Sequence, residues 1–126
     1  MMALVLDAGA LIAVDRGNHA MHDLIQDALR TGTPVRTNPN VVAQVWRNGA
    51  KQSRLARLLR DVKVESISRE DGYRAGELLG ATRTKDVVDA TVALLAKTGD
   101  TLYTSDPSDL GTLCAARGFR PVVVTC

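Results

Sequence analysis

Hydrophobic residues along this chain fall into two alternating kinds of pattern. Short apolar or β-branched runs, Ala3–Leu6, Val35–Thr37, Val62–Ser66, Leu102–Thr104 and Pro121–Val124, have the length of strands. Between them lie longer stretches, among them Asn18–Arg30 and Val41–Leu59, that carry helical patterns. Leu55, Leu58 and Leu59 line one helix face, and Val88, Val92, Leu95 and Ala96 another, at three- and four-residue spacing. Strands alternating with helices predict a parallel sheet with crossover helices, an α/β fold. Ala3–Leu6 is apolar without alternation, as befits a central strand covered on both faces. A proline opens Pro121–Val124, which suits an edge.

Local chemistry places several helix starts. Asn38-Pro39 and Asp106-Pro107 each set a capping side chain before a proline suited to the first helical turn. Ser68-Arg69-Glu70-Asp71 reads as a capping box.

Composition then narrows the class. At 126 residues, 45% hydrophobic and 24% charged, residues 1–126 fit a single globular domain. No apolar run approaches the roughly 20 residues of a membrane span, and Met-Met-Ala-Leu-Val-Leu meets Asp7 before a signal-peptide core forms. Cys114 and Cys126 are too few for a disulfide framework and have no Cys-x-x-Cys spacing, so a cytoplasmic protein is expected. A net charge of +2 gives no global nucleic-acid signature. Charge is local: Arg47, Lys51 and Arg54 recur at helical spacing, with Arg57, Arg60 and Lys63 beyond them. These side chains either contact an RNA backbone or form a solvated face that meets an acidic partner.

Candidate chemistry centres on carboxylates. Ligands of open parallel sheets bind beyond the carboxyl ends of the strands. Asp7 follows the first strand, Thr104-Ser105-Asp106 ends the fourth, and Asp89 begins the helix before it, so the three acids are expected to converge. Clustered carboxylates repel one another unless a hard cation such as magnesium or manganese holds them. Each acid also has a structural reading: a turn residue for Asp7, an exposed helix position for Asp89 and a cap for Asp106. His19 and His22 are three apart but lack a third ligand. No Gly-x-Gly-x-x-Gly or Walker loop follows a strand, Gly9 stands where a haloacid-dehalogenase-like phosphatase needs a second aspartate, and the paired acids of a receiver domain are missing.

Three segments, Leu4-Val5-Leu6-Asp7-Ala8-Gly9-Ala10-Leu11, Asp89-Ala90-Thr91-Val92-Ala93-Leu94-Leu95-Ala96 and Leu102-Tyr103-Thr104-Ser105-Asp106-Pro107-Ser108-Asp109-Leu110, resemble signature segments of PIN-domain ribonucleases. The match is to the VapC toxin branch of VapBC toxin–antitoxin systems, in order and over nearly the whole chain. The resemblance implies a three-layer α/β/α sandwich, a magnesium- or manganese-dependent endoribonuclease, a homodimer, and inhibition by a cognate antitoxin. It also implies that Asp7, Asp89 and Asp106 are the catalytic, metal-binding acids, with Asp109 assisting and Thr104 orienting a carboxylate or water. The family places a glutamate where this chain has Gln44, which removes one negative charge. Asp86, one turn before Asp89, is a candidate replacement or else a solvated first-turn carboxylate. Trp46 and Leu11–Ile12 belong either to the core, the simpler expectation, or to a hydrophobic partner groove. The competing reading is a PIN-like protein that grips RNA or an antitoxin without cutting, and Gln44 is the residue that favours it.

Overall fold

The computed structural model describes residues 2–126. Five strands, β1 (Leu4–Leu6), β2 (Val35–Thr37), β3 (Lys63–Val64), β4 (Thr101–Thr104) and β5 (Val122–Thr125), pair in the order β3-β2-β1-β4-β5. Every pairing is parallel, with Val5 opposite Arg36 on one side and Leu102 on the other. Among the described residues seven helices accompany them: α1 (Ala8–Asp15), α2 (His19–Arg30), α3 (Pro39–Val45), α4 (Ser53–Asp61), α5 (Arg69–Thr82), α6 (Val87–Leu95) and α7 (Pro107–Ala116). They form the outer layers of a three-layer α/β/α sandwich. Among the described residues no helix is long and apolar enough to cross a membrane.

The sequence pattern accounts for the order of the layers. β1 is the middle strand, Val5 and Leu6 and the neighbouring strand's Leu102 are fully buried, and Leu11, Ile25, Leu55 and Leu110 close over the sheet without solvent exposure. β5 is an edge strand that begins one residue after Pro121, as a missing N–H favours. Helix α6 differs from the others, because five successive residues, Asp89 to Ala93, are buried. It packs between α5 and α7, so a carboxylate near its start is desolvated by the fold itself.

The stretch Val41–Leu59, read from its pattern as one helix, is broken. Helix α3 stops at Val45, a 3-10 turn spans Gly49–Lys51, and α4 begins at Ser53. The Gln52 amide holds the break: its Oε1 accepts from the N–H groups of Arg47 and Asn48, and its Nε2 donates to the Val45 carbonyl and to Asp15. These bonds satisfy groups that an ended helix leaves orphaned. Trp46 is thereby turned out of the core, 38% exposed, and lies over Gly49, where a Cβ would come within 2.7 Å of its ring. The core expectation for Trp46 fails for that reason, whereas Leu11 is buried and Ile12 packs against the core.

Two of the three predicted caps form. The Asn38 side chain accepts from Val41 N–H, and Ser68 and Asp71 exchange the reciprocal bonds of a capping box. Asp106 stands at the cap position of α7, but its side chain makes no capping bond.

Candidate metal centre

The carboxyl ends of β1 and β4 adjoin, and residues just past each enter the same crevice. Asp7 leaves β1 as the N-cap of α1, nearly buried, with both oxygens engaged: Oδ1 accepts from Ala8 N–H at 2.8 Å and Oδ2 from the Thr104 hydroxyl at 2.7 Å. Thr104 is fully buried at the end of β4, and its Oγ1 also accepts from Asp106 N–H at 2.9 Å. One hydroxyl thus couples the orientation of Asp7 to the backbone that carries Asp106. Gly9 lets the two elements approach so closely, since a Cβ there would sit 2.8 Å from Ser105 N.

Carboxylate oxygens of Asp89, Asp106 and Asp109 lie within 4.8 Å of one another. Asp89 is 7% exposed, while Asp106 and Asp109 are open to solvent on the first turn of α7. The mutual cluster therefore contains Asp109, with Asp7 standing beside it. Asp7 is close enough to act on Asp89 by charge. Asp109 is three residues after Asp106 and so on its helix face, a signal present in Asp-Pro-Ser-Asp from the start.

Electrostatics distinguish this site from an ordinary acidic surface. The Asp89 carboxyl is pushed up to about 7, first by burial and then by the charges of Asp7, Asp86, Asp106 and Asp109. Every charge that acts on it is negative. Asp109 is raised by a hydrogen bond shared with Asp106, then by the charge of Asp106. The Cys126 thiol is raised by burial and by Asp7. Five carboxylates gather, among the described residues no cation acts on Asp89, and their hard oxygen donors suit magnesium or manganese.

The accessory positions divide. Asp86 caps α6 through its Oδ1, which accepts from Asp89 N–H at 2.9 Å; it adds charge to the site from outside the mutual cluster. Gln44 is exposed near the end of α3, four residues beyond Asn40, whose amide donates a 3.5 Å bond to the Thr91 hydroxyl of α6. Asn38 donates to the same hydroxyl at 3.2 Å. This buried Asn38–Thr91 tie, which pins α6 to the end of β2, was not legible as a site feature in the sequence. Arg47 folds back, its Nη1 donating to the carbonyls of Ala43 and Trp46, whereas Lys51 and Arg54 are exposed. His19 and His22 are exposed, and neither joins an acidic cluster among the described residues.

No protein-family description matches the chain, and no curated protein matches it. Among solved structures, VapBC2 from Rickettsia felis, crystallised bound to a DNA fragment from their promoter, contains a chain that aligns with a TM-score of 0.66. The alignment covers 99% of this chain and 99% of that one at 13% identity. A likeness at that identity is one of fold, and the five-stranded parallel sandwich described above is accordingly a PIN/VapC-like fold.

Proposed function

We propose that this chain is a single-domain, magnesium- or manganese-dependent endoribonuclease, the toxin component of a VapBC-type pair. The observation that carries the reading is the environment of Asp89: a buried carboxyl at the mouth of a parallel sheet, within reach of Asp106 and Asp109, with only negative charges acting on it. Asp89, Asp106 and Asp109 would hold the cation, and Asp7, oriented by Thr104, completes the acidic wall. When bound, such an ion supplies an activated water and stabilises charge that develops on a phosphodiester. Burial and the surrounding carboxylates push the Asp89 carboxyl up to about 7, so a cation that bound there near neutral pH would displace its proton.

The partner follows from the same reading. The structural neighbour is a VapBC2 assembly on promoter DNA, which supports a cognate antitoxin for this chain. The family resemblance implies a homodimer, and the sparse cysteines suit a reducing cytoplasm.

The test is cleavage of total RNA by purified protein with manganese, with EDTA, and by the Asp7→Asn and Asp89→Asn variants. Cleavage that requires the ion and is lost in both variants is expected; an identical pattern from wild type and Asp89→Asn would refute it. Gln44 supports a second reading, a protein that binds RNA or antitoxin without cutting, because α3 contributes an uncharged, exposed amide where the resembled family has an acid. Wild-type protein that binds RNA but leaves it intact, with cleavage appearing in Gln44→Glu, would favour that reading.

A further inference from the structure

Two cavities on the α1 side of the molecule share their lining. One, of about 610 Å³, begins at Gly9 and Ser105, the residues beside Asp7 and Asp106, and passes Arg16 to Gly17 and Asn18. The other, of about 460 Å³, begins at Gly17 and Asn18 and continues past His19 and His22 to Arg54 and Arg57. They meet at Gly17 and Asn18, so together they follow α1 from the chain neighbours of Asp7 and Asp106 to α4, about 12 Å for eight helical residues.

The charge of this groove is mostly positive. The cavity that begins at Gly9 and Ser105 has no acidic side chain in its lining, the acids of the cluster lying one or two residues away along the chain; towards and beyond the end of α1 the walls carry Arg16, Arg54 and Arg57, with Asp61 the opposing carboxylate. All three guanidinium groups are on exposed residues, and Arg54 lies over the Gly17 backbone, where a Cβ would meet its Cζ at 3.3 Å. Gly17, with φ of +83°, keeps the floor of the groove open beneath that guanidinium. Helix α2 opens into the same place with no acidic residue in its first turn; its N-cap Asn18 accepts from Met21 N–H at 3.0 Å, and no carboxylate of that turn offsets the positive end.

A ligand that fits these walls presents negative charge to Arg16, Arg54 and Arg57, and at the Gly9 and Ser105 end it comes beside the residues that carry Asp7 and Asp106. We propose that the groove is the path of a single RNA strand, with Arg16, Arg54 and Arg57 gripping phosphates on one side of the bond presented to the acidic cluster. The proposal rests on the ribonuclease reading and assigns the strand's course. It moves the contact from Arg47, which its own helix carbonyls hold, to Arg57 and Arg16.

The test measures anisotropy of a short fluorescein-labelled single-stranded RNA, with every variant made in the Asp89→Asn background so that the strand stays intact. Arg54→Gln/Arg57→Gln and Arg16→Gln are each expected to weaken binding on the order of tenfold. Each arginine lost should lower the slope of log affinity against log salt by about 0.7. Arg54→Lys/Arg57→Lys should recover much of the binding, which separates charge from packing. Arg74→Gln, on α5 and outside both cavities, should bind as the parent does. Unchanged affinity and slope in the double glutamine variant would overturn the proposal, even with the nuclease fully active. Loss of poly-glutamate binding with RNA binding intact would overturn it too, by making the groove a site for an acidic protein. Failure of wild-type protein to cleave any RNA refutes the ribonuclease reading separately.

Discussion

Replacing Asp89 by asparagine removes a charge that the folded chain holds at a cost, so without metal the variant should be more stable than the parent above neutral pH. The Asp89 carboxyl rises from 3.8 to about 7 on folding, mainly through burial. Between those values the folded chain keeps a proton that the unfolded chain has released. Stability from this group is fully present below pH 3.8, falls as pH rises through about 7, and then levels off. The full rise corresponds to about 4 kcal/mol. Asp106 and Asp109 are exposed, and water screens their share, so about 2 kcal/mol is the expected difference. Urea unfolding of both proteins in EDTA, from about pH 3.5 to pH 8.5, measures it. The variant should match the parent at the acid end and exceed it by about 2 kcal/mol at the alkaline end, and millimolar manganese should reverse the order by stabilising only the parent. A variant equally or less stable at pH 8.5 in EDTA would refute the reasoning.

Two further substitutions probe the frame of the site. Gly9→Ala places a Cβ 2.8 Å from Ser105 N, a backbone atom, so it should cost about 1–3 kcal/mol by chemical denaturation and depress cleavage by shifting Asp106. Thr104→Val keeps the shape of a fully buried side chain but leaves Asp7 Oδ2 and Asp106 N–H without their partner; a loss of about 1–3 kcal/mol and weaker manganese binding by calorimetry are expected.

What the sequence made legible is what local pattern and chemistry determine. Ala3–Leu6 could be recognised as central because a strand covered on both faces has no polar alternation, and Ser68 because a capping box is a local device. The break after Val45 was not legible, since it depends on Gln52 reaching back across the turn and on Asp15 in another helix. Asp106 likewise looked like a cap, since Asp-Pro opens many helices; in the fold its side chain makes no capping bond, and its carboxylate lies with those of Asp89 and Asp109 instead. The burial of Asp89 could not be anticipated from α6 alone, because α5 and α7 pack on either side of it. Strand order brought Asp7 to the mouth of the sheet beside β4, while the Thr104 hydroxyl bond that orients it became visible only once β1 and β4 were paired.

The claim that these acids hold a divalent cation is tested most directly by calorimetric titration of manganese into the metal-free chain, alongside Asp89→Asn and Asp106→Asn. The account predicts saturable binding to the parent, accompanied by proton release near pH 7, and its loss in both variants. Equal binding by parent and variants, or none by the parent, would contradict it.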